Sequence, residues 1–133
     1  MIVWIAVAVC AVVCIAIPFV LELMKTQRLD ERARGNASGQ FIELSAGITH
    51  YELSGPPEAR TVVLVHGFSI PLYIWDRNVS ALTDAGFRVL RYDLFGRGYS
   101  DRPSVKYTMD LLVGQLRELL DRLNITTPVH LAG

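Results

Sequence analysis

The chain has 133 residues, which is enough for one modest domain with an appendage. Its 13 Lys and Arg residues balance 13 Asp and Glu residues, so the formal net charge is zero and no basic face indicates nucleic acid binding. The two cysteines, Cys10 and Cys14, share an apolar run and fit lipid-facing or helix-packing thiols better than metal ligands. No metal or organic cofactor is expected.

The apolar run from Met1 to Leu21 contains no charged residue. At ~1.5 Å per residue it would span about 30 Å as a helix, the thickness of a bilayer core. A cleaved signal peptide is the alternative, but no Lys or Arg precedes the run. We predict a single-pass membrane anchor over residues 1–24 and a charged linker over residues 25–39.

The side of the membrane is inferred from the charges that follow the anchor. Four basic residues follow it: Lys25, Arg28, Arg32 and Arg34. The positive-inside tendency then predicts a cytoplasmic domain. Asn-x-Ser/Thr triplets argue against this only if the domain is lumenal or secreted, and they begin at Asn36, Asn78 and Asn124.

The remaining residues, 40–133, begin with two strand-like runs, QFIELSAG and ITHYELSG, that meet at Gly47. Their spacing predicts an antiparallel hairpin. His50 in the second run is expected at the surface or on an edge strand, without a catalytic role. The next run, TVVLVHG, is continuous and rich in β-branched residues, which is typical of a strand buried on both faces.

Helix and strand patterns then alternate. Helical spacing of Trp75, Val79 and Leu82 predicts a helix that stops before Gly86, and RVLRYD predicts a second buried strand. After a glycine-rich loop, Thr108 is expected to cap a second helix. Its predicted apolar face comprises Leu112, Leu116, Leu119, Leu120 and Leu123. Its predicted ion pairs are Arg117–Asp121 and Glu118–Arg122.

The last run, VHLAG, predicts a third buried-type strand. A βαβαβ order implies a parallel sheet with right-handed crossovers and helices on both faces. In such sheets the ligand site lies outside the carboxyl ends of the strands. His130 in this run is expected to be packed or edge-bonded.

The stretch VVLVHGFSIPLYIWDRNVSALTDAGFRVLRYDLFGRGYSDRP resembles the N-terminal half of an α/β-hydrolase. The matching positions are His66, Gly67, Trp75, Ala85, Gly86, Asp93, Gly96, Gly98, Ser100 and Pro103. The resemblance covers Thr61 to Gly133. It implies an α/β fold in which a β-hairpin precedes the first half of a mostly parallel sheet, truncated after the fifth strand.

In that family the fifth strand ends in a G-x-S-x-G turn that carries the nucleophile. The resemblance places the first glycine of this turn at Gly133, and so places the nucleophile, the acid and the catalytic histidine beyond it. The chain is therefore expected to be an N-terminal fragment, poorly stable by itself and inert towards p-nitrophenyl acetate or butyrate. A serine nucleophile would favour ester, lipid or carbon–carbon hydrolysis, and an aspartate would favour epoxide or halide chemistry.

The resemblance also implies one oxyanion-hole donor, the backbone N–H of Phe68. His66 and Gly67 are interpreted as structural support for this turn. Asp93 and Ser100 are expected to bond backbone N–H groups around Gly96 and Gly98, whose GRG spacing does not fit a nucleotide-binding loop. Residues expected to line the cleft are Ser69, Ile70 and Tyr73. Arg97 and Arg102 are expected to form salt bridges within their loop or to touch a substrate carboxylate.

Two functional hypotheses follow from these expectations. The first is a membrane-anchored hydrolase of a small, lipophilic ester or acylglycerol, with epoxide hydrolase or haloalkane dehalogenase chemistry as the alternative within the same fold. The second is a non-catalytic pseudo-hydrolase that binds a ligand or a partner at the membrane. The residue two beyond Gly133 would discriminate between the chemistries.

Overall fold

The computed structural model describes Ile17 and residues 34–133. Within this part of the chain, the strands are β1 (Gln40–Leu44), β2 (Gly47–Ser54), β3 (Thr61–Val65), β4 (Arg88–Tyr92) and β5 (His130–Ala132). The helices are α1 (Asp76–Asp84), which follows a 3-10 turn at Leu72–Trp75, and α2 (Met109–Arg122). The predicted hairpin, both helices and all three later strands are therefore present.

The strands form one mixed sheet in the order β1-β2-β4-β3-β5. β1 and β2 pair antiparallel with Phe41 opposite His50, and β2 also pairs antiparallel with β4. β3 lies between two parallel neighbours, with Val63 opposite Leu90 on β4 and Leu64 opposite Ala132 on β5. The carboxyl ends of β3, β4 and β5 therefore meet at one edge of the sheet.

The two faces of the sheet are covered by different helices. On one face Trp75, Val79 and Leu82 pack against the buried side chains of β3 and β4. On the other, Leu119 of α2 is fully buried in a core that also contains Tyr92. Alternate residues of a strand point to opposite faces, so the continuous apolar run of β3 fills both cores.

α2 begins at the predicted cap. The Thr108 hydroxyl accepts a hydrogen bond from the N–H of Leu111 at 3.2 Å. Of the two predicted ion pairs, Glu118–Arg122 is present at 3.8 Å. Arg117–Asp121 is not among the ion pairs of the described residues. Glu118 also accepts hydrogen bonds from the N–H and hydroxyl of Ser45, so it ties α2 to the β1–β2 turn.

The prediction that β5 is buried is wrong for this structure. All three of its residues are exposed, and Leu131 is 62% exposed. The reason is topological, because β5 is the last strand of the described sheet and has a neighbour only on its β3 side.

The predicted anchor over residues 1–24 lies outside the described residues, apart from Ile17. Among the residues that the structure does describe, no helix is long and apolar enough to cross a bilayer. Residues 34–39, within the predicted linker, contact the rest of the domain: Arg34 pairs with Asp101 in the loop after β4, and Ser38 donates a hydrogen bond to Glu52 of β2 at 2.9 Å.

Candidate active site

His66 joins the ends of β3 and β4. Its ring is buried, and Nε2 accepts a hydrogen bond from the N–H of Leu94 at 3.0 Å. Nδ1 lies 2.6 Å from the carbonyl oxygen of Gly67, to which it donates. One neutral tautomer, with the proton on Nδ1, satisfies both contacts. The ring thus holds the Gly67–Phe68 turn against the next loop, and neither ring nitrogen is free to accept a proton from a substrate.

Asp93, directly after β4, organises the loops on either side of it. Oδ1 accepts a hydrogen bond from the N–H of Leu72 at 2.9 Å, and Oδ2 accepts one from the N–H of Tyr99 at 2.9 Å. The same Oδ2 lies 2.8 Å from Nδ1 of His50. A single buried carboxylate therefore fixes the segment after β3, the glycine-rich loop and β2.

His50 is the largest correction to the sequence expectation, because it is only 2% exposed and not a surface or edge residue. Both of its ring nitrogens face acceptors, Asp93 at Nδ1 and the Ser38 carbonyl at Nε2. Only the doubly protonated ring can donate to both. His50 and Asp93 therefore form a buried ion pair.

The electrostatics of the pair agree with this geometry. Burial by itself lowers the pKa of His50, but the hydrogen bonds to Asp93 and Ser38 outweigh it and leave the pKa above 6.5. Burial by itself raises the pKa of Asp93, but hydrogen bonds from His50, Leu72 and Tyr99 hold the pKa below 3.8. Each partner thus keeps the other charged.

The glycine-rich loop is closed by Ser100, whose hydroxyl is fully buried. It donates to the Asp93 carbonyl at 2.6 Å and accepts from the N–H of His50 at 2.9 Å. Gly98 has φ +46°, and a Cβ there would lie 2.0 Å from Asp93 Oδ2. Gly96 has φ +81°. Only glycine permits the loop to wrap this closely around the carboxylate.

Gln115 is a site residue that sequence analysis missed. It is 2% exposed on α2, and its amide nitrogen donates to Thr49 Oγ1 at 2.9 Å and to the Asp93 carbonyl at 3.0 Å. Its carbonyl oxygen accepts from the N–H of Phe95 at 3.0 Å. A polar residue on the Leu-rich face of α2 was the available signal, since a buried amide needs partners.

Phe68 lies at the carboxyl end of β3 and is 82% exposed. Its backbone N–H has no hydrogen-bond acceptor among the described residues, whereas its carbonyl accepts from Nε of Arg97. The Arg97 guanidinium also lies 4.3 Å from the centre of the Phe68 ring. The position of the backbone N–H is thus fixed from both sides of the turn, by His66 and by Arg97.

A cavity of about 590 Å³ connects Phe68 to the end of β5. Val65, His66, Gly67 and Phe68 line it on the β3 side, and Leu131 and Gly133 line it on the β5 side. α2 contributes apolar side chains to the opposite wall, including Leu116. The candidate donor and the terminus of β5 therefore border one largely apolar space.

The three residues expected to line the cleft, Ser69, Ile70 and Tyr73, are exposed. Their role in lining the cleft stays a prediction. Arg97 and Arg102 form no salt bridge among the described residues and instead donate to backbone carbonyls of their own region. His130 is exposed, and its ring lies edge-on to the Phe87 ring with 6.3 Å between the ring centres.

Known proteins are similar to this chain in both sequence and architecture. The family model described as alpha/beta hydrolase fold matches residues 60–133. A haloalkane dehalogenase from Psychrobacter cryohalolentis is 37% identical over 78 residues, which is 57% of this chain and 26% of that protein. Bifunctional epoxide hydrolase 2 from Mus musculus is 38% identical over 99 residues, covering 72% of this chain and 18% of that protein.

Solved structures with a similar fold include relatives of this chain. The enol-lactonase from Burkholderia xenovorans LB400 superposes with a TM-score of 0.65 and 32% identity, over 69% of this chain and 35% of that one. The chain thus spans about a third or less of the relatives named here. A family match over more than half of the residues, on a sheet of matching architecture, means that the chain belongs to the α/β-hydrolase fold family.

Proposed function

We propose that this chain supplies the oxyanion-stabilising half of a hydrolase active site that acts on a small, mainly apolar molecule. The observation that carries the proposal is the cavity shared by Phe68 and the carboxyl end of β5. The Phe68 N–H is held in place but unpaired within the described residues, which is the arrangement needed to bind an oxyanion.

The reaction class proposed first is hydrolysis of an ester or lactone through a covalent intermediate. A backbone N–H stabilises the negative charge that develops on a carbonyl oxygen during acyl transfer. Removing one such donor costs about 10²–10³ in kcat. The apolar lining of the cavity favours a lipophilic acyl or alcohol group.

Epoxide or halide hydrolysis is the second candidate. The sequence relatives named above include a haloalkane dehalogenase and an epoxide hydrolase, each more than a third identical over the matched segment. In epoxide and halide hydrolysis the covalent intermediate is an alkyl ester of an enzyme carboxylate. In ester or lactone hydrolysis it is an acyl ester of an enzyme hydroxyl.

The test uses the protein expressed from its gene, incubated with p-nitrophenyl butyrate, styrene oxide and 1-bromobutane in separate reactions. Turnover of the ester with an acylated serine peptide in mass spectra supports the first candidate. Turnover of styrene oxide or 1-bromobutane, with ¹⁸O from water entering an aspartate side chain, supports the second candidate. Turnover of none of the three supports the pseudo-hydrolase hypothesis and overturns the proposal.

The role of Phe68 is tested separately by an amide-to-ester substitution at its peptide nitrogen, which removes the N–H and keeps the side chain. We expect kcat to fall about 10²–10³-fold with little change in KM. Phe68→Leu is the matched control, because it keeps the N–H and alters only the exposed ring. A larger effect from Phe68→Leu than from the ester substitution would show that the ring, and not the donor, matters.

We also propose that residues 1–24 anchor the domain to a membrane with the domain on the cytoplasmic side. The support is the uncharged run Met1–Leu21 and the basic residues that follow it. We expect the protein to resist carbonate extraction from membranes. In sealed cytoplasm-in vesicles, protease should digest the domain only after the vesicles are opened. Release by carbonate, or digestion in sealed cytoplasm-in vesicles, would contradict it.

A further inference from the structure

A second cavity of about 640 Å³ opens beside the first. Gly67, Phe68, Leu94 and Leu112 border both cavities, so the two spaces adjoin at the candidate oxyanion donor. Both volumes lie in the range of small-molecule sites. A substrate whose reacting group lies at Phe68 can therefore extend into the second space.

The described residues that line the second cavity include two arginines and no acidic residue. The arginines are Arg97 and Arg102, and Tyr107 and the apolar residues Leu94, Phe95 and Leu112 line it with them. Among the described residues, no acidic side chain neutralises either arginine. In contrast, the guanidinium of Arg91 is paired with Glu52 and Asp76.

The Arg97 guanidinium is already immobilised. Nε donates to the Phe68 carbonyl, Nη1 donates to the Gly96 carbonyl at 2.9 Å, and the group lies over the Phe68 ring. Nη2 makes no hydrogen bond within the described part of the chain. A guanidinium fixed before binding loses little side-chain entropy when a ligand arrives.

From this arrangement we propose that the second cavity binds the carboxylate of an amphipathic substrate, with Arg97 and Arg102 as its cationic side. The apolar surface takes the body of the ligand, and the ester or other reacting group lies at Phe68. The inference rests on the proposed function, which places the reacting group of the substrate at Phe68. It adds that the substrate carries a carboxylate. It excludes neutral acylglycerols as the preferred substrate.

The test is equilibrium binding to the purified full chain, held in a nonionic detergent. Phenylacetate and phenylacetamide are nearly isosteric and differ in charge. They are titrated while the backbone amide signals of Gly96 and Arg97 are followed by NMR. We expect phenylacetate to bind at least tenfold more tightly, because hydrogen bonds between guanidinium and carboxylate are charge-assisted. Equal affinities would overturn the inference.

Variants locate the effect. Arg102→Gln removes one charge and only a long contact, 3.4 Å to the Gly98 carbonyl, so the fold is expected to survive. It should weaken phenylacetate binding about three- to tenfold and leave phenylacetamide binding unchanged. Arg97→Lys keeps the charge but not the fixed geometry, and should also weaken phenylacetate. Arg117→Gln, on the exposed side of α2, is the control and should change neither affinity.

Phenylacetate binding that is unaffected by both cavity variants would also overturn the inference. The measurement does not depend on turnover. A protein that hydrolyses esters but does not prefer phenylacetate refutes the carboxylate site alone, and one that binds phenylacetate without hydrolysing any substrate refutes the catalytic proposal alone.

Discussion

Nδ1 of His50 lies 2.8 Å from Oδ2 of Asp93, and the two side chains are 2% and 1% exposed. This pair joins the middle of β2 to the loop that follows β4. Asp93 also accepts hydrogen bonds from the N–H of Leu72 and of Tyr99, so the pair is connected to the segment after β3 and to the glycine-rich loop.

Replacing Asp93 with Asn is expected to lower the free energy of unfolding by about 3–5 kcal/mol, because the charge on His50 would stay buried without its counter-ion. Urea denaturation of the full chain, followed by circular dichroism, measures the change. Arg122→Gln is the control, since its pair with Glu118 is partly exposed and contributes about 0.5 kcal/mol or less. Equal losses from the two variants would contradict the buried ion pair.

The double variant His50→Gln with Asp93→Asn should lose less free energy than the sum of the two single variants. With both charges removed, neither is left buried alone, and the side-chain amides can still bond to each other. The same urea titrations give the coupling free energy. Strict additivity would show that the two residues act independently.

The stability of the domain is expected to depend on pH through this pair. The pKa of His50 lies above 6.5 in the fold, so its contribution is complete below pH 6.5 and is lost as pH rises through that higher value. The pKa of Asp93 lies below 3.8, so its contribution is complete above pH 3.8 and is lost as pH falls through that lower value. The pair therefore stabilises the fold most between these limits.

Comparison of urea titrations at pH 5.5 and pH 8.5 checks the His50 branch. The native chain should lose stability at the higher pH, and His50→Gln should lose less over the same interval because it has no proton to release. A pH dependence that is identical in both proteins would assign the loss to other groups.

Two glycines should respond in opposite directions to alanine. Gly98→Ala places a Cβ against the Asp93 carboxylate at a positive φ, and should destabilise the chain by about 2 kcal/mol or more. Gly114→Ala adds a methyl group to α2 where no atom lies within 4 Å, and should stabilise by about 0.5–1 kcal/mol. Thermal unfolding of both variants measures the signs. Gly98→Ala that is as stable as the native chain, or more stable, would refute the loop geometry.

Gln115→Met keeps the approximate length of the side chain but removes its three hydrogen bonds. The N–H of Phe95 would be left buried without its partner, so a loss of about 2–3 kcal/mol is expected. Val113→Met on the exposed side of α2 is the control and should remain within about 0.5 kcal/mol of the native chain. An equally small change in unfolding free energy for both variants would contradict the prediction, because it would mean that water takes the place of the Gln115 amide as the partner of the Phe95 N–H.

Much of the fold was accessible from local patterns. The hairpin, the α2 cap at Thr108 and the alternation of strands and helices all depend on residues close in sequence. The burial of β5 was not accessible, because it depends on whether another strand lies beside it. The path of the loop after β3 was not accessible for a similar reason, since the distant carboxylate of Asp93 holds it through the N–H of Leu72.

The sequence by itself determined the alternation of strands and helices and the glycines of the loop after β4, because periodicity and positive-φ requirements are local. Only the tertiary structure decided that His50, Asp93 and Gln115 form one buried network. His50 is 43 residues from Asp93, and the two meet only because β2 pairs with β4. A side chain's charge and partners depend on what the fold places around it, and no local pattern contains that information.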